Sequence, residues 1–255
     1  MKYLVINGSP HKGNTWKITM EAKQQIMNED PASVFEEVHL AQLNLPFCTG
    51  CSNCFRKGGE YCPHKEIMNM MIEKMETADG ILIASTTFNC RETAILKNFF
   101  DHMCYMLHRP RFFTKKALVI TSVGGVGGGQ TVKSVVATLR GIGVNKCYGL
   151  CIRSISWNAY QIHTKDEMKI KKAAKKFADD VKSSKLHKPN TLILIPYNLF
   201  RGMSVYYQKG TEYETLDGTY YMDPDRKKTV YDKQIPVSFF QKIMGTMFYQ
   251  LGKTL

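Results

Sequence analysis

The sequence predicts an α/β fold in which a parallel sheet is covered by helices on both faces. Short apolar segments alternate with segments of helical period five times between residues 2 and 183. The apolar segments are mostly continuous rather than alternating with polar residues, which is typical of strands buried on both faces. The length of 255 residues is enough for one such domain with an extension, or for two small domains.

The elements of the predicted domain occupy residues 1–185. The predicted strands are residues 2–6, 34–39, 80–85, 117–122 and 146–151. The predicted helices are residues 15–27, 67–78, 93–107, 132–141 and a lysine-rich helix within 165–188. Five strands joined by right-handed crossovers favour a flavodoxin-like three-layer α/β/α sandwich with the strand order 2-1-3-4-5. Ligand loops should then converge at the carboxyl ends of the first, third and fourth strands.

The pattern changes after residue 185, and residues 186–255 are interpreted as a C-terminal extension. Residues 191–195 are predicted to add a short strand, and residues 197–233 have no clear period. From Val237 onward apolar side chains recur at helical spacing. That stripe fits either a membrane surface or a helix docked on its own domain or on a dimer mate, and the docked helix is favoured.

Composition excludes several classes of protein. Hydrophobic residues make up 44% of the chain and charged residues 22%, as in ordinary globular proteins. Neither a signal peptide nor a transmembrane segment is predicted, so the expected location is cytoplasmic. The net charge of +13 reflects a solvated lysine-rich helix face rather than a nucleic-acid site, because no nucleic-acid-binding motif accompanies it.

The segment from Gly8 to Thr15 follows the first strand and ends where a helix begins. Free amides of a first helical turn and the helix dipole favour an anion there, and Ser9, Asn14 and Thr15 carry side chains that can add hydrogen bonds. The spacing is neither that of a Walker loop nor GxGxxG. Composition alone leaves two interpretations open: a phosphate site, or a plain turn with Asn14 or Thr15 as the N-cap.

Four cysteines in the segment 46–64 form the second candidate site. They are Cys48, Cys51, Cys54 and Cys62. Reduced thiols at this compact spacing suit an iron–sulfur cluster better than zinc, whose ligands usually form two separated pairs. A 4Fe–4S cluster, a zinc ion and free thiols all remain open. Cys90 is interpreted as inert packing, and the other three cysteines (Cys104, Cys147 and Cys151) as core. No side chain, including His102 and His108, is assigned a catalytic role.

Several motifs, in order, resemble the NAD(P)H-dependent FMN reductase and iron–sulfur flavoprotein families, which have a flavodoxin-like fold. They are VINGSPHKGNT at residues 5–15, STTF at 85–88, LKNFFDH at 96–102, HRP at 108–110 and SVGG at 122–125. The resemblance covers about residues 1–183. The usual tyrosine of the third-strand loop is Phe88 here, so a hydroxyl at that position is lost.

The resemblance implies FMN as cofactor, with its phosphate at the first loop and its ring on the loops after the third and fourth strands. The cofactor-binding residues it implies are Ser9, His11, Asn14, Thr15, Thr86, Thr87, Phe88, Asn89, Ser122, Gly124 and Gly125. The cysteine spacing also resembles that of iron–sulfur flavoproteins that bind a 4Fe–4S cluster.

The expected function is therefore an oxidoreductase that takes electrons from NAD(P)H through FMN to a flavin, a quinone or a similar acceptor. If the cluster is present, electrons leave through the cysteine loop. One alternative is an electron carrier without direct NAD(P)H activity. Another is a basic nucleic-acid-binding or regulatory protein on the same scaffold. The resemblance also implies a homodimer or homotetramer.

Overall fold

A computed structural model describes residues 1–155 and 159–255. Five parallel strands form one sheet in the order β2-β1-β3-β4-β5, as predicted. The strands are β1 (Lys2–Asn7), β2 (Val34–His39), β3 (Gly80–Thr86), β4 (Lys116–Val123) and β5 (Lys146–Arg153). Because the strands are parallel, the segments that leave β1, β3, β4 and β5 meet at one edge of the sheet.

Apart from one short helix at residues 53–56, which was not predicted, the helices of the sheet domain agree with the predicted ones except at their ends. They are α1 (Asn14–Glu29), the short α2 (Asn53–Arg56), α3 (Lys65–Thr77), α4 (Ala94–Asp101), α5 (Gly128–Gly141) and α6 (Thr164–Ser183). Helix α4 ends before the predicted boundary, and a separate 3₁₀ turn follows at Cys104–Leu107. Helix α5 begins at Gly128, so part of the predicted glycine loop is helical.

The core lies on both faces of the sheet. Along β1, Tyr3, Leu4, Val5 and Ile6 are all fully buried. Leu4 and Ile6 pack in the cluster that α3, α4 and α5 cover, and Tyr3 and Val5 in the one that α1 and α6 cover. Each fully buried side chain of this kind contributes about 1.5–3 kcal/mol, so the sheet edge that carries the loops is rigidly anchored.

The extension contains helices, and the strand predicted at residues 191–195 is wrong. Its helices are α7 (Thr191–Met203), α8 (Leu216–Met222), α9 (Pro224–Lys228) and α10 (Phe239–Gly252). The Asn190 side chain caps α7 by accepting from the Leu192 amide at 2.9 Å. The buried positions of α7, Leu194, Tyr197, Asn198 and Arg201, fall at helical spacing across the boundary where the strand was expected to end.

Helix α10 confirms the helical period predicted from Val237 onward. It packs along α7 and begins with a capping box between Ser238 and Gln241. Its outer face remains exposed and carries five large apolar side chains: Phe239, Phe240, Ile243, Met247 and Leu251. Within residues 1–155 and 159–255, no helix is both long and apolar enough to cross a bilayer.

The contact between α7 and α10 depends on glycine. A Cβ atom on Gly202 would lie 2.3 Å from the Tyr249 carbonyl oxygen and 2.7 Å from the Gly252 Cα atom. Gly202→Ala is therefore expected to lower the free energy of unfolding by about 2 kcal/mol, since the two backbones must separate. Urea unfolding measures this change.

Gly129→Ala is the matched control for Gly202→Ala. Gly129 lies in α5, and nothing lies within 4 Å of the position of its added Cβ. That substitution is expected to stabilise the chain by about 0.5–1 kcal/mol because alanine favours a helix. Equal effects of the two substitutions would contradict close packing of α7 on α10.

Candidate functional site

A cavity of about 570 Å³ lies at the carboxyl edge of the sheet. It is lined by Ser9, His11, Gly13, Asn14, Thr15, Thr86, Thr87, Phe88, Ser122, Gly124, Gly125, Ser154 and Ile155. The structure thus brings together every residue predicted to bind the cofactor except Asn89. Three of the lining residues, Gly13, Ser154 and Ile155, were not predicted.

A chain of hydrogen bonds shapes the first loop of this cavity. The Asn7 Nδ2 atom lies 3.1 Å from His39 Nδ1. The Asn7 Oδ1 atom accepts a hydrogen bond from the Ser9 amide at 3.1 Å. The Thr86 amide in turn donates to Ser9 Oγ at 3.0 Å. Burial and the nearby Lys12 charge lower the pKa of His39, which favours a neutral ring whose Nδ1 atom accepts from Asn7. The loop after β1 is thereby tied to the end of β3.

The amino-terminal turn of α1 opens into the cavity. Gly13 is the N-cap, no side chain caps the turn, and the first intrahelical bond runs from the Lys17 amide to the Gly13 carbonyl. The amides of the three residues after Gly13 precede that bond and are directed to the helix end. The expectation that Asn14 or Thr15 serves as the N-cap is therefore wrong.

Two buried side chains complete this turn. Asn14 Oδ1 has no hydrogen-bond partner among the described residues. Thr15 Oγ1 lies 2.6 Å from Ser122 Oγ, which joins the turn to the end of β4. Free amides, a buried amide side chain with an unpartnered atom and the positive end of the helix dipole make this corner suited to an anion.

The segment after β3 forms the second wall. The Thr87 amide donates to the Ser122 carbonyl at 3.0 Å, which holds this segment against β4. Phe88 and Arg91 then close a tight turn through two backbone hydrogen bonds of 2.9 Å. The two central residues of the turn, Asn89 and Cys90, have positive φ angles of 49° and 62°. Phe88 lines the cavity and is half exposed, whereas Asn89 lies at the turn outside the cavity wall.

The loops after β4 and β5 form the third wall. Ser154 is buried, and its amide donates to the Val123 carbonyl at 2.9 Å, while Ile155 is exposed at the cavity mouth. The sequence prediction ended the fifth strand at Cys151, but β5 continues to Arg153. Ser154 and Ile155 could have been predicted from their position in the sequence, because residues that directly follow a strand next to β4 must reach the same edge of the sheet.

A second, smaller pocket of about 50 Å³ brings the four predicted cysteines together. It is lined by Cys48, Thr49, Gly50, Cys51, Ser52, Cys54, Phe55, Cys62, Pro63, His64, His102 and Cys104. Cys48 and Cys51 are exposed on its rim, and Cys54 and Cys62 are half-buried. The positive φ of Gly50, 66°, provides one of the backbone reversals that this loop needs.

Cys104 was interpreted as a core residue, and the structure instead places it in the wall of the cysteine pocket, half-buried. Its thiol is hydrogen-bonded to that of Cys54. The hydrogen bond to Cys104 and burial raise the pKa of Cys54, and burial raises the pKa of Cys62.

Asn98 of α4 anchors the start of the cysteine loop. Its Nδ2 atom donates to the carbonyls of Leu45 and Pro46 at 3.1 Å each, and its Oδ1 atom accepts from the Cys48 amide at 3.1 Å. Asn98 is buried and thus provides fixed donors and an acceptor from within the sheet domain. The side chain was part of the predicted motif at residues 96–102, but its contact with the loop was not predicted.

Two histidines support the other end of the loop. His102 Nδ1 lies 2.8 Å from the Asn98 carbonyl oxygen, which requires a proton on that nitrogen. His102 Nε2 lies 2.8 Å from His64 Nδ1, and the His64 amide donates to Cys62 Sγ at 3.4 Å. The helix α4 therefore holds the loop near Cys48 and near Cys62.

The arrangement of the cysteine side chains bears on which metal group they could bind. Within the described residues, no three Cys, His, Asp or Glu side chains converge on the position of a single metal ion. Zinc is bound by ligands about 2.0–2.3 Å from one centre. A cluster of four irons spreads its thiolates over a larger body. The pocket is lined by five cysteines, the four predicted ones and Cys104, and by no carboxylate, which fits that donor set.

The remaining cysteines differ in exposure. Cys147 is buried, and burial raises its pKa to about 12, as expected of a core residue. Cys151 is exposed, so its assignment to the core was wrong. Cys90 packs against the backbone of Gly127.

The sequence model of the family described as NADPH-dependent FMN reductase matches residues 1–154. The chain belongs to this NADPH-dependent FMN reductase family. The matched region includes β1 to β5, the cysteine pocket and every residue that lines the larger cavity except Ile155, and it ends before α6 and the extension.

Curated relatives of this FMN reductase family member are named iron-sulfur flavoproteins. The protein of Archaeoglobus fulgidus is 33% identical over 128 residues, which are 50% of this chain and 56% of that protein. The protein of Clostridioides difficile is 28% identical over 174 residues, or 68% of this chain and 76% of that protein. The protein of Methanosarcina thermophila is 29% identical over 188 residues, or 70% of this chain and 94% of that protein.

Solved structures of similar shape support the flavodoxin-like fold of this FMN reductase family member. An azoreductase from Bacillus anthracis aligns with a TM-score of 0.52 at 15% identity, over 72% of this chain and 99% of that one. An NADH:FMN oxidoreductase in its apo form aligns with a TM-score of 0.51 at 18% identity, over 70% of this chain and 89% of that one. At these identities the similarity concerns the fold.

Proposed function

We propose that this protein is an FMN-dependent oxidoreductase that takes electrons from NAD(P)H and passes them to an acceptor through a 4Fe–4S cluster held by Cys48, Cys51, Cys54 and Cys62. The observation that carries the proposal is the open amino-terminal turn of α1 at the edge of a 570 Å³ cavity. Membership of the FMN reductase family and the names of the curated relatives support it.

The FMN phosphate is assigned to the turn of α1. The amides after Gly13 provide fixed donors, and the helix dipole favours a dianion. The hydroxyl of Ser9 has its oxygen engaged by the Thr86 amide, so its proton is free to be donated. The Thr15 and Ser122 hydroxyls share one hydrogen bond and retain one proton for the ligand. These groups bind and orient the phosphate end.

The ring of FMN is assigned to the walls formed after β3, β4 and β5. Phe88 and Ile155 offer exposed apolar surface that would exclude water, and the backbones of Thr87 and Gly124–Gly125 offer polar contacts. Phe88 replaces a hydroxyl-bearing tyrosine, so it contributes packing and no hydrogen bond. The chemistry that FMN supplies when bound is acceptance of a hydride, that is two electrons and a proton, from a nicotinamide and release of electrons to an acceptor.

The cysteine loop is assigned to a 4Fe–4S cluster because four closely spaced cysteines of the loop line one pocket that contains no carboxylate. Cys48 and Cys51 lie on the exposed rim, so the pocket is open to iron and sulfide from solvent. The cluster would accept and release single electrons. His102 and Asn98 hold the surrounding backbone from α4.

Anaerobic purification and reconstitution with FMN, ferrous iron and sulfide test the proposal. Flavin absorption bands with about four irons and four acid-labile sulfides per chain are expected. NADH or NADPH should then bleach the flavin bands without a partner protein. Failure to retain FMN would overturn the proposal, and flavin retention without iron would reduce it to a simple flavin reductase. Retention of both groups without reaction with either nucleotide would identify an electron carrier.

A further inference from the structure

We propose that Asp217 of the C-terminal extension is a positioning residue for the cysteine loop, acting through Arg109. Asp217 lies in the first turn of α8, outside the region that the family model matches. It is an ion-pair partner of Arg109, whose guanidinium donates to the backbone of the loop. This inference rests on the proposed iron–sulfur role of that loop.

The guanidinium of Arg109 connects the extension and the loop. Its Nη2 atom donates to the Cys54 carbonyl at 2.6 Å, and its Nη1 atom donates to the Phe55 carbonyl at 3.3 Å and to Asp217 Oδ1. Arg109 and Asp217 are both buried, with exposed fractions of 8% and 4%. The Asp217 carboxylate stabilises Arg109 in this buried position, because removal of one partner of a buried ion pair is strongly destabilising. The planar fork of arginine also makes several donations at once, which lysine cannot reproduce.

Asp217 is itself held in place from several directions. Its amide donates to Thr215 Oγ1 at 3.3 Å, and its Oδ2 atom lies 2.7 Å from His108 Nδ1. The ring of His108 stacks on Phe200 of α7 with centroids 3.8 Å apart, and Tyr221 of α8 donates to the His108 carbonyl. The position of the Asp217 carboxylate, and through it that of Arg109, therefore depends on the packing of α7 and α8.

The contacts of Arg109 hold the backbone in the middle of the cysteine loop. Cys54 lies in α2, a single turn whose four residues contribute little stability of their own. Arg109 fixes the carbonyls of Cys54 and Phe55, and thus the direction of the Cys54 side chain. Asn98 holds the loop at Cys48, and His64 contacts Cys62. Without Asp217, the part of the loop around Cys54 loses the charged anchor that comes from outside the sheet domain.

Hydrogen exchange of the metal-free protein tests the positioning role independently of any cluster. In Asp217→Asn, amides of residues 53–57 are expected to exchange about tenfold faster, since Arg109 loses its ion-pair partner. Asp225→Asn is the matched control, because Asp225 is an exposed carboxylate of the same extension paired with Lys233. Unchanged exchange in β3 and β4 confirms that the fold is intact, and Asp217→Glu should restore part of the protection.

The reconstituted protein provides the second readout. Asp217→Asn is expected to lose iron about 10- to 100-fold faster than the wild type, as is typical when a residue that orients a ligand is removed. The reduction potential of the cluster should rise in Asp217→Asn, which leaves a positive charge unpaired, and fall in Arg109→Gln, which removes that charge. A merely structural defect would not shift the two variants in opposite directions.

The outcomes separate this inference from the proposed function. Wild-type exchange at residues 53–57 in Asp217→Asn, together with wild-type iron retention, would overturn the positioning role. If the wild-type protein takes up no iron, the proposed cluster fails, and faster exchange in the metal-free variant still supports the contact between Asp217 and the loop. Faster exchange in the Asp225→Asn control as well would also contradict the inference.

Discussion

Asn14→Asp is expected to weaken FMN binding about 1,000-fold at pH 7 while riboflavin binding changes little. The substitution places a carboxylate at the turn of α1 where the phosphate is proposed to bind. Two unit charges about 4 Å apart repel by about 4 kcal/mol at an effective dielectric constant near 20, which corresponds to nearly 1,000-fold. Riboflavin lacks the phosphate and is spared the repulsion. Titration of each ligand by flavin fluorescence measures the ratio of the two affinities.

The loss should shrink in acid, because the new carboxyl group can take up a proton instead of facing the phosphate as an anion. Protonating an aspartate costs about 4 kcal/mol at pH 7 but only about 1.5 kcal/mol at pH 5. The gap between Asn14→Asp and the wild type is therefore expected to narrow to about tenfold at pH 5. The free protein should not be destabilised, since a negative charge at a helix amino terminus is favourable by about 0.3–1 kcal/mol.

Asn28→Asp is the matched control for the phosphate site. It adds the same charge to the same helix, about 21 Å from Asn14 at 1.5 Å per residue. That separation exceeds the screening length of about 8 Å at physiological salt, so FMN binding should remain near that of the wild type. Equal losses in the two variants, or none in Asn14→Asp, would place the phosphate elsewhere.

The fold of the first 185 residues could be predicted because each element there buries a face with its own period. Strands such as β1 are buried on both faces, and their apolar runs are visible in sequence. The extension was harder to predict. In α7 the run Leu192–Ile195 looks like a strand when read alone, and its helical face becomes visible only with Tyr197, Asn198 and Arg201.

The cavity was predictable to the extent that neighbouring parallel strands must end at one edge. Motifs after β1, β3 and β4 identified most of its lining, whereas Ser154 and Ile155 carry no motif and follow a strand whose end was misplaced. Long-range polar contacts produce no periodic pattern in the sequence, so they could not be predicted from it. Arg109 and Asp217 are 108 positions apart, and neither residue type alone indicates its partner. Such pairs arise from packing of α8 on the loop rather than from local pattern.

Asn98→Leu is expected to lower the free energy of unfolding by about 3 kcal/mol and to release the start of the cysteine loop. Leucine has a similar shape but loses the two donations to Leu45 and Pro46 and the acceptance from Cys48. Each lost hydrogen bond costs about 0.5–1.5 kcal/mol. Urea unfolding measures the stability, and limited proteolysis measures exposure of residues 46–64.

Substitutions at Asn98 and at the exposed Asp101 of the same helix separate the contact with the loop from the stability of α4 itself. Asp101→Asn removes an exposed pair with Lys97, worth about 0.3–0.5 kcal/mol, and should leave the loop protected. Asn98→Asp keeps the acceptor for the Cys48 amide but sets a carboxylate against two carbonyls. Burial then raises the pKa of that carboxyl above its unfolded value, so this variant should lose stability as pH rises through that range. If Asn98→Leu and Asp101→Asn are cleaved alike, the loop does not depend on Asn98, and the anchoring of Cys48 by α4 is wrong.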